Sequence, residues 1–168
     1  MSYFKCYSCW RSLGYTGPKT NMICPGCDAK LMVNSSIKDN ISGKGYREYN
    51  TLAGKLHETL AKNSEIYKGN DEAIAGPDSQ FTPDAIYYQR GELLMRKPLI
   101  YEIITCDSIN NETTINKCRL FSETAQNLFS QFYLIVPKDC QDKDGEDLAR
   151  EMLKVNEIAL EAVKILAL

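Results

Sequence analysis

Pro83-Asp84-Ala85-Ile86-Tyr87-Tyr88-Gln89 and Pro98-Leu99-Ile100-Tyr101-Glu102-Ile103-Ile104-Thr105 are the stretches on which the reading of this chain turns. Both are rich in β-branched and aromatic residues, so strands are expected over 83–89 and 98–105, with Arg90-Gly91 marking a turn after the first. Each carries one carboxylate. Asp84 opens the first strand, and Glu102 sits among Leu99, Ile100, Ile103 and Ile104. An acid in so apolar a strand is costly to bury unless it is paired, metal-bound or at an edge. If the two strands form a hairpin, Asp84 and Glu102 lie side by side, and their hard oxygens suit a divalent cation such as Mg²⁺. Such an ion activates water and stabilises a phosphorane-like transition state.

Outward from this pair, the spacing predicts a helix over 46–63, its apolar stripe formed by Tyr46, Tyr49, Ala53, Leu56 and Leu60. His57, the only histidine, falls at the edge of that stripe and is expected in solvent. A short strand is expected near 64–67. On the far side, a helix over 112–131 carries Ile115, Cys118, Phe121, Ala125, Leu128 and Phe129 at helical offsets. The continuous apolar run 132–136 reads as a strand buried on both faces, ended by Pro137. A helix near 144–155 follows, and 160–168 fits either more helix or a last strand. The order helix, strands, helix, strand, helix implies an α/β fold with a mixed sheet and helices packed against it.

The first 34 residues read differently. Cys6-Tyr7-Ser8-Cys9 and Cys24-Pro25-Gly26-Cys27 are two matched CxxC pairs, 14 residues apart. Two residues between paired cysteines let both thiolates turn round one ion, and two such knuckles complete a tetrahedral four-thiolate zinc site. Gly14, Gly17 and Pro18 suggest a hairpin turn, and Leu31-Met32-Val33 a closing strand. So small a segment has no core of its own, and Zn²⁺ binding would supply its folding energy. With all four ligand positions filled, the metal is structural. Residues 34–45 are polar with two glycines, as in a linker. The expected division is a zinc ribbon over 1–34, a linker over 35–45 and a main domain over 46–168.

At this point the chain resembles a known superfamily. Pro83-Asp84, an intervening hairpin and Glu102 on the next strand look like the PD-(D/E)xK nuclease core, and the later helix and buried strand fit its αβββαβ order. The stretches 101–108 and 132–137 are similar to uncharacterised prokaryotic members. The resemblance spans about 46–166 and implies a restriction-endonuclease-like core, a metal at Asp84 and Glu102, and hydrolysis of DNA or RNA. There is one departure. The family's lysine belongs two residues after the acid, where this chain has Ile104. Some members take that lysine from the following helix, which here points to Lys117. Thr105 and Asp107 could orient a water or the metal, or serve with Ser108 as ordinary turn and cap residues.

Charge qualifies these expectations. The net charge is −2, yet residues 1–50 hold seven basic side chains (Lys5, Arg11, Lys19, Lys30, Lys38, Lys44, Arg47) against Asp28, Asp39 and Glu48. The remainder carries 13 basic and 19 acidic residues. Nucleic-acid contacts are therefore expected on the ribbon, through Lys5, Arg11, Lys19 and Lys30, with Trp10 either stacking on bases or covering the metal site. An acidic main domain speaks against strong non-specific DNA affinity. It favours the alternative of a catalytically inactive nuclease-fold module that binds nucleic acid or, through the ribbon, a protein partner. No run approaches the ~20 apolar residues of a membrane helix, and no secretory signal opens the chain, so a cytoplasmic protein is expected. The odd cysteine total disfavours a disulfide framework, and Cys106, Cys118 and Cys140 are expected as small core residues.

Overall fold

The computed structural model describes residues 2–15, 20–33, 44–91 and 97–168. Near the N-terminus, strands β1 (Ser2–Cys6) and β2 (Ser12–Tyr15) pair antiparallel, as do β3 (Thr20–Ile23) and β4 (Lys30–Val33). The turn of each hairpin is a CxxC knuckle. Both knuckles close the same way: Trp10 N–H donates to the Cys6 carbonyl and Asp28 N–H to the Cys24 carbonyl, each at 2.9 Å, and both residues have φ near +64°. The hairpin expected at Gly17-Pro18 lies outside the described residues.

Helix α1 (Tyr46–Ala61) leads into β5 (Ile66–Lys68), β6 (Ala73–Ala75), β7 (Gln80–Phe81), β8 (Ala85–Gln89) and β9 (Leu99–Ile103). Helix α2 (Glu112–Asn127) is followed by β10 (Gln131–Val136), the small hairpin β11 (Asp139–Cys140) and β12 (Lys143–Asp144), α3 (Gly145–Val155), a 3₁₀ turn (Leu160–Ala162) and β13 (Val163–Ala167). The ambiguous C-terminal stretch is thus mostly strand, because Phe132 to Val136 offer it a parallel partner in register from Val163 to Ala167.

The main sheet runs β13-β10-β9-β8-β5; β13, β10 and β9 are parallel, while β8 and β5 join antiparallel. Side chains alternate across it. Tyr101, Ile103 and Ile135 face Leu52, Leu56 and Leu60 of α1. Ile100, Ile104, Leu134 and Val136 face the opposite core with Cys118, Phe121, Ala125 and α3's Leu153. The result is a mixed sheet between helical layers.

Two apolar stripes need correction at their ends. Tyr46 is 68% exposed and Leu52 takes its place, because the buried line of α1 starts a turn later. Phe129 is 87% exposed, because α2 stops at Asn127 and φ at Phe129 is +53°, off the helical face. Cysteines 106 and 140 are corrected too. They form a disulfide 34 residues apart in sequence, joining the loop after β9 to β11, and only Cys118 is the buried thiol expected.

The ribbon is tied into the body. Strand β1 pairs in parallel with β6, making the sheet β2-β1-β6-β7, and Met32 N–H donates to the Gly76 carbonyl. Trp10 is 3% exposed within the main core, and its indole N–H donates to the Tyr88 hydroxyl at 2.9 Å. Trp10→Ala should therefore destabilise the whole chain by about 3–5 kcal/mol in urea unfolding, with metal release and loss of sheet signal sharing one midpoint. Metal release well ahead of an unchanged sheet transition would contradict this coupling.

Candidate metal centres

Four sulfurs form the first centre. Cys6, Cys9, Cys24 and Cys27 place their Sγ atoms within 4.8 Å of one another. Cys6 to Cys27 and Cys9 to Cys24 are each 3.6 Å, close to the roughly 3.8 Å edge of a tetrahedron with Zn–S bonds of about 2.3 Å. Ser8 N–H points at Cys6 Sγ and Gly26 N–H at Cys24 Sγ, each at 3.4 Å, an arrangement that steadies thiolates. Four soft donors, with no fifth in the cluster among the described residues, are compatible with zinc.

The second centre lies at the end of the main sheet. The β8–β9 register pairs Ala85 with Tyr101, and one further step sets Asp84 opposite Glu102. Alternation turns both toward the α2 side of the sheet, as it does Ile100 and Ile104. Asp84 N–H donates to Glu102 Oε1 at 3.2 Å, so the carboxylates adjoin. Both also accept from a single ammonium: Lys44 Nζ lies 2.8 Å from Asp84 Oδ2 and 2.7 Å from Glu102 Oε2. Lys117 Nζ approaches the same Glu102 oxygen at 3.3 Å. Asp84 is held further by the Tyr49 hydroxyl on Oδ1 and the Ile103 N–H on Oδ2, each donating at 2.7 Å.

All four charged side chains are nearly inaccessible, with Glu102 at 0% and Lys44 at 3%. Their electrostatics differ. Burial and the adjoining Asp84 push Glu102 up to about 8 against the pull of Lys44 and Lys117. Burial also works on Asp84, but Lys44 and the donated hydrogen bonds outweigh it and hold Asp84 below the usual carboxylate range. Lys44 loses solvation, yet Glu102 and Asp84 raise it, so it stays an ammonium. Burial, then Asp84, keeps the Tyr49 phenol neutral as a donor.

Of the residues expected at this site, Asp84, Glu102 and Lys117 come together. Ile104 is fully buried on the Glu102 side of β9, and its side chain fills core space there. Ser108 Oγ accepts from Thr105 N–H at 3.0 Å, a turn contact, and Asp107 is exposed beside Gly45. Lys44 was missed, since its Gly-Lys-Gly setting reads as linker. The available signal was the demand of two buried acids for a cation, together with Gly45, whose φ of +66° turns the chain into α1 immediately after Lys44. Tyr49 was expected only as an apolar stripe residue; its hydroxyl lies five positions beyond Lys44 on the same carboxylate.

The ribbon's expected contact residues are dispersed. Arg11 and Lys30 are exposed, and Arg11 packs on the second knuckle at Gly26. Lys5 pairs with Glu72 at 3.6 Å and lies over the Trp10 ring. Trp10 offers no face to solvent, so it covers the join to the core instead of awaiting a base. Lys19 lies outside the described residues. Among the described residues no helix is long and apolar enough to cross a membrane.

The chain matches no protein-family model, no curated protein and no solved structure. Metal analysis of the purified chain should find one tightly held zinc per molecule, lost together with ribbon folding in Cys24→Ser. Full retention of zinc in that variant would contradict the four-sulfur centre.

Proposed function

We propose that this chain is a metal-dependent phosphodiesterase acting on DNA or RNA, built on a nuclease-like αβββαβ core with a structural zinc ribbon. The observation that carries the proposal is the pairing of Asp84 and Glu102, buried and adjoining on neighbouring strands through Glu102 Oε1, with Lys117 from the next helix on Glu102 Oε2. The element order supports it. Helix α1, strands β5, β8 and β9, helix α2 and strand β10 follow the αβββαβ sequence, with β9 and β10 parallel and the earlier strands antiparallel. Strands β6 and β7 are an insertion that carries the ribbon.

The hard oxygens of Asp84 and Glu102 are the donors a Mg²⁺ or Mn²⁺ ion prefers. When bound there, such an ion would supply Lewis-acid charge and lower the pKa of a bound water. Tyr49 and the Ile103 N–H fix the Asp84 carboxylate so that both its oxygens keep one orientation. Lys117 stands close enough to neutralise charge developing on a phosphoryl oxygen, in place of the lysine that Ile104 lacks. Arg11 and Lys30, exposed on the ribbon, are suited to phosphate contacts outside the site.

A second reading has its own support. Two ammoniums already satisfy the two carboxylates, as in an ion-pair cluster that has lost catalysis, and the chain would then bind nucleic acid or a protein partner without cleaving. Incubation with labelled single-stranded and duplex DNA and RNA in Mg²⁺ or Mn²⁺ separates the two. The nuclease reading expects cleavage that falls at least about a hundredfold in Asp84→Asn and Glu102→Gln. Cleavage unaffected by both substitutions, or none with any substrate, would overturn it.

A further inference from the structure

Lys44 stands where a divalent cation held by Asp84 and Glu102 would bind. Its Nζ lies within 2.8 Å of both carboxylates, between the oxygens that a divalent cation would have to coordinate. An ammonium and a metal ion cannot share that point. In formal charges, with both carboxylates in the ionised form that a divalent cation requires, Asp84, Glu102, Lys44 and Lys117 cancel to zero. Adding a divalent cation with both lysines in place would leave two uncompensated positive charges in a closed site, a large cost in a medium of low dielectric. Removing Lys44 from the pair leaves one, which matches the single negative charge of a phosphodiester.

Lys117 is not the group that yields. It is fixed on helix α2, its contact to Glu102 is longer at 3.3 Å, and it touches one carboxylate from the side. Lys44 precedes α1, and Gly45 beside it makes no side-chain cap to the helix. The swing of Lys44 therefore needs no helix to move.

We propose that Lys44 is a built-in surrogate for the metal, an internal cation that holds the Asp84–Glu102 pair when no divalent ion is bound and is expelled when one binds. Lys44 keeps two buried acids compensated, and the chain stays folded without metal. Its release puts a second ammonium at the mouth of the site, within reach of substrate phosphate. This inference rests on the divalent-cation site proposed above.

The test uses the wild-type chain. Amine acetylation followed by peptide mass spectrometry reads the accessibility of each lysine, with Mg²⁺ binding measured in parallel by calorimetry and assigned through Asp84→Asn. Without divalent ion, Lys44 should react at least about tenfold more slowly than exposed Lys30, and saturating Mg²⁺ should speed Lys44 about tenfold while leaving Lys117 protected. Lys44→Met, where it folds, should bind Mg²⁺ about tenfold more tightly or better, because no internal cation competes. Mg²⁺ binding that depends on Asp84 but leaves Lys44 protected would overturn the surrogate role and spare the metal site. Unchanged or weaker Mg²⁺ affinity in Lys44→Met would do the same. No Asp84-dependent Mg²⁺ binding would overturn the metal site and this inference together.

Discussion

One ammonium between two carboxylates organises one end of the main sheet. Lys44 Nζ sits on Asp84 and Glu102 at hydrogen-bonding distance, inside a region where none of the three side chains reaches solvent. Two adjoining buried carboxylates without such a partner would repel each other across a few ångströms of poorly polarisable surroundings. The opposed shifts of the two acids follow directly. Asp84 collects the donors and stays ionised, while Glu102, wholly buried, is pushed toward its neutral form.

The fold supplies what this cluster needs. An antiparallel β8–β9 pair sets Asp84 and Glu102 opposite each other, and the parallel β9–β10 pair brings α2 across that face with Lys117 at the right height. Helix α1 covers the other face; its first turn brings Tyr49, and the residue before its Gly45 cap brings Lys44, around the end of the sheet. The four-cysteine segment stands apart in chemistry but not in structure, because β1 completes a sheet with β6 and Trp10 is buried against Tyr88. A metal held by all four sulfurs would have no open position for chemistry, and its binding would help a short segment fold and dock.

Much of this was legible in the residues. The CxxC pairs announced a four-sulfur site, and the apolar strand around Glu102 announced an acid in need of a partner. What failed did so for local reasons. Lys44 lay in a polar glycine-bounded stretch whose composition says linker, and no periodicity marks a lone residue that reaches into a core. Tyr46 and Phe129 fit helical spacing but lie beyond the ends of the buried stripes, Tyr46 in the first turn of α1 before its buried line starts and Phe129 after the backbone has left α2. The Cys106–Cys140 disulfide depends on β11 folding back beside the loop after β9, a tertiary contact that spacing cannot reveal. Trp10 was open between stacking on bases and covering the metal site; it is instead buried in the main core, with its indole on Tyr88.

The central claim is that the chain holds two separate metal centres of opposite chemistry, one soft and structural, one hard and shared with a lysine. Crystals grown with zinc and soaked in Mn²⁺, with anomalous scattering recorded at the edge of each metal, test it most directly. The account predicts zinc density among Cys6, Cys9, Cys24 and Cys27, and manganese density between Asp84 and Glu102 with the Lys44 side chain moved away. Zinc alone, with Lys44 still bridging the two carboxylates at saturating Mn²⁺, would contradict it.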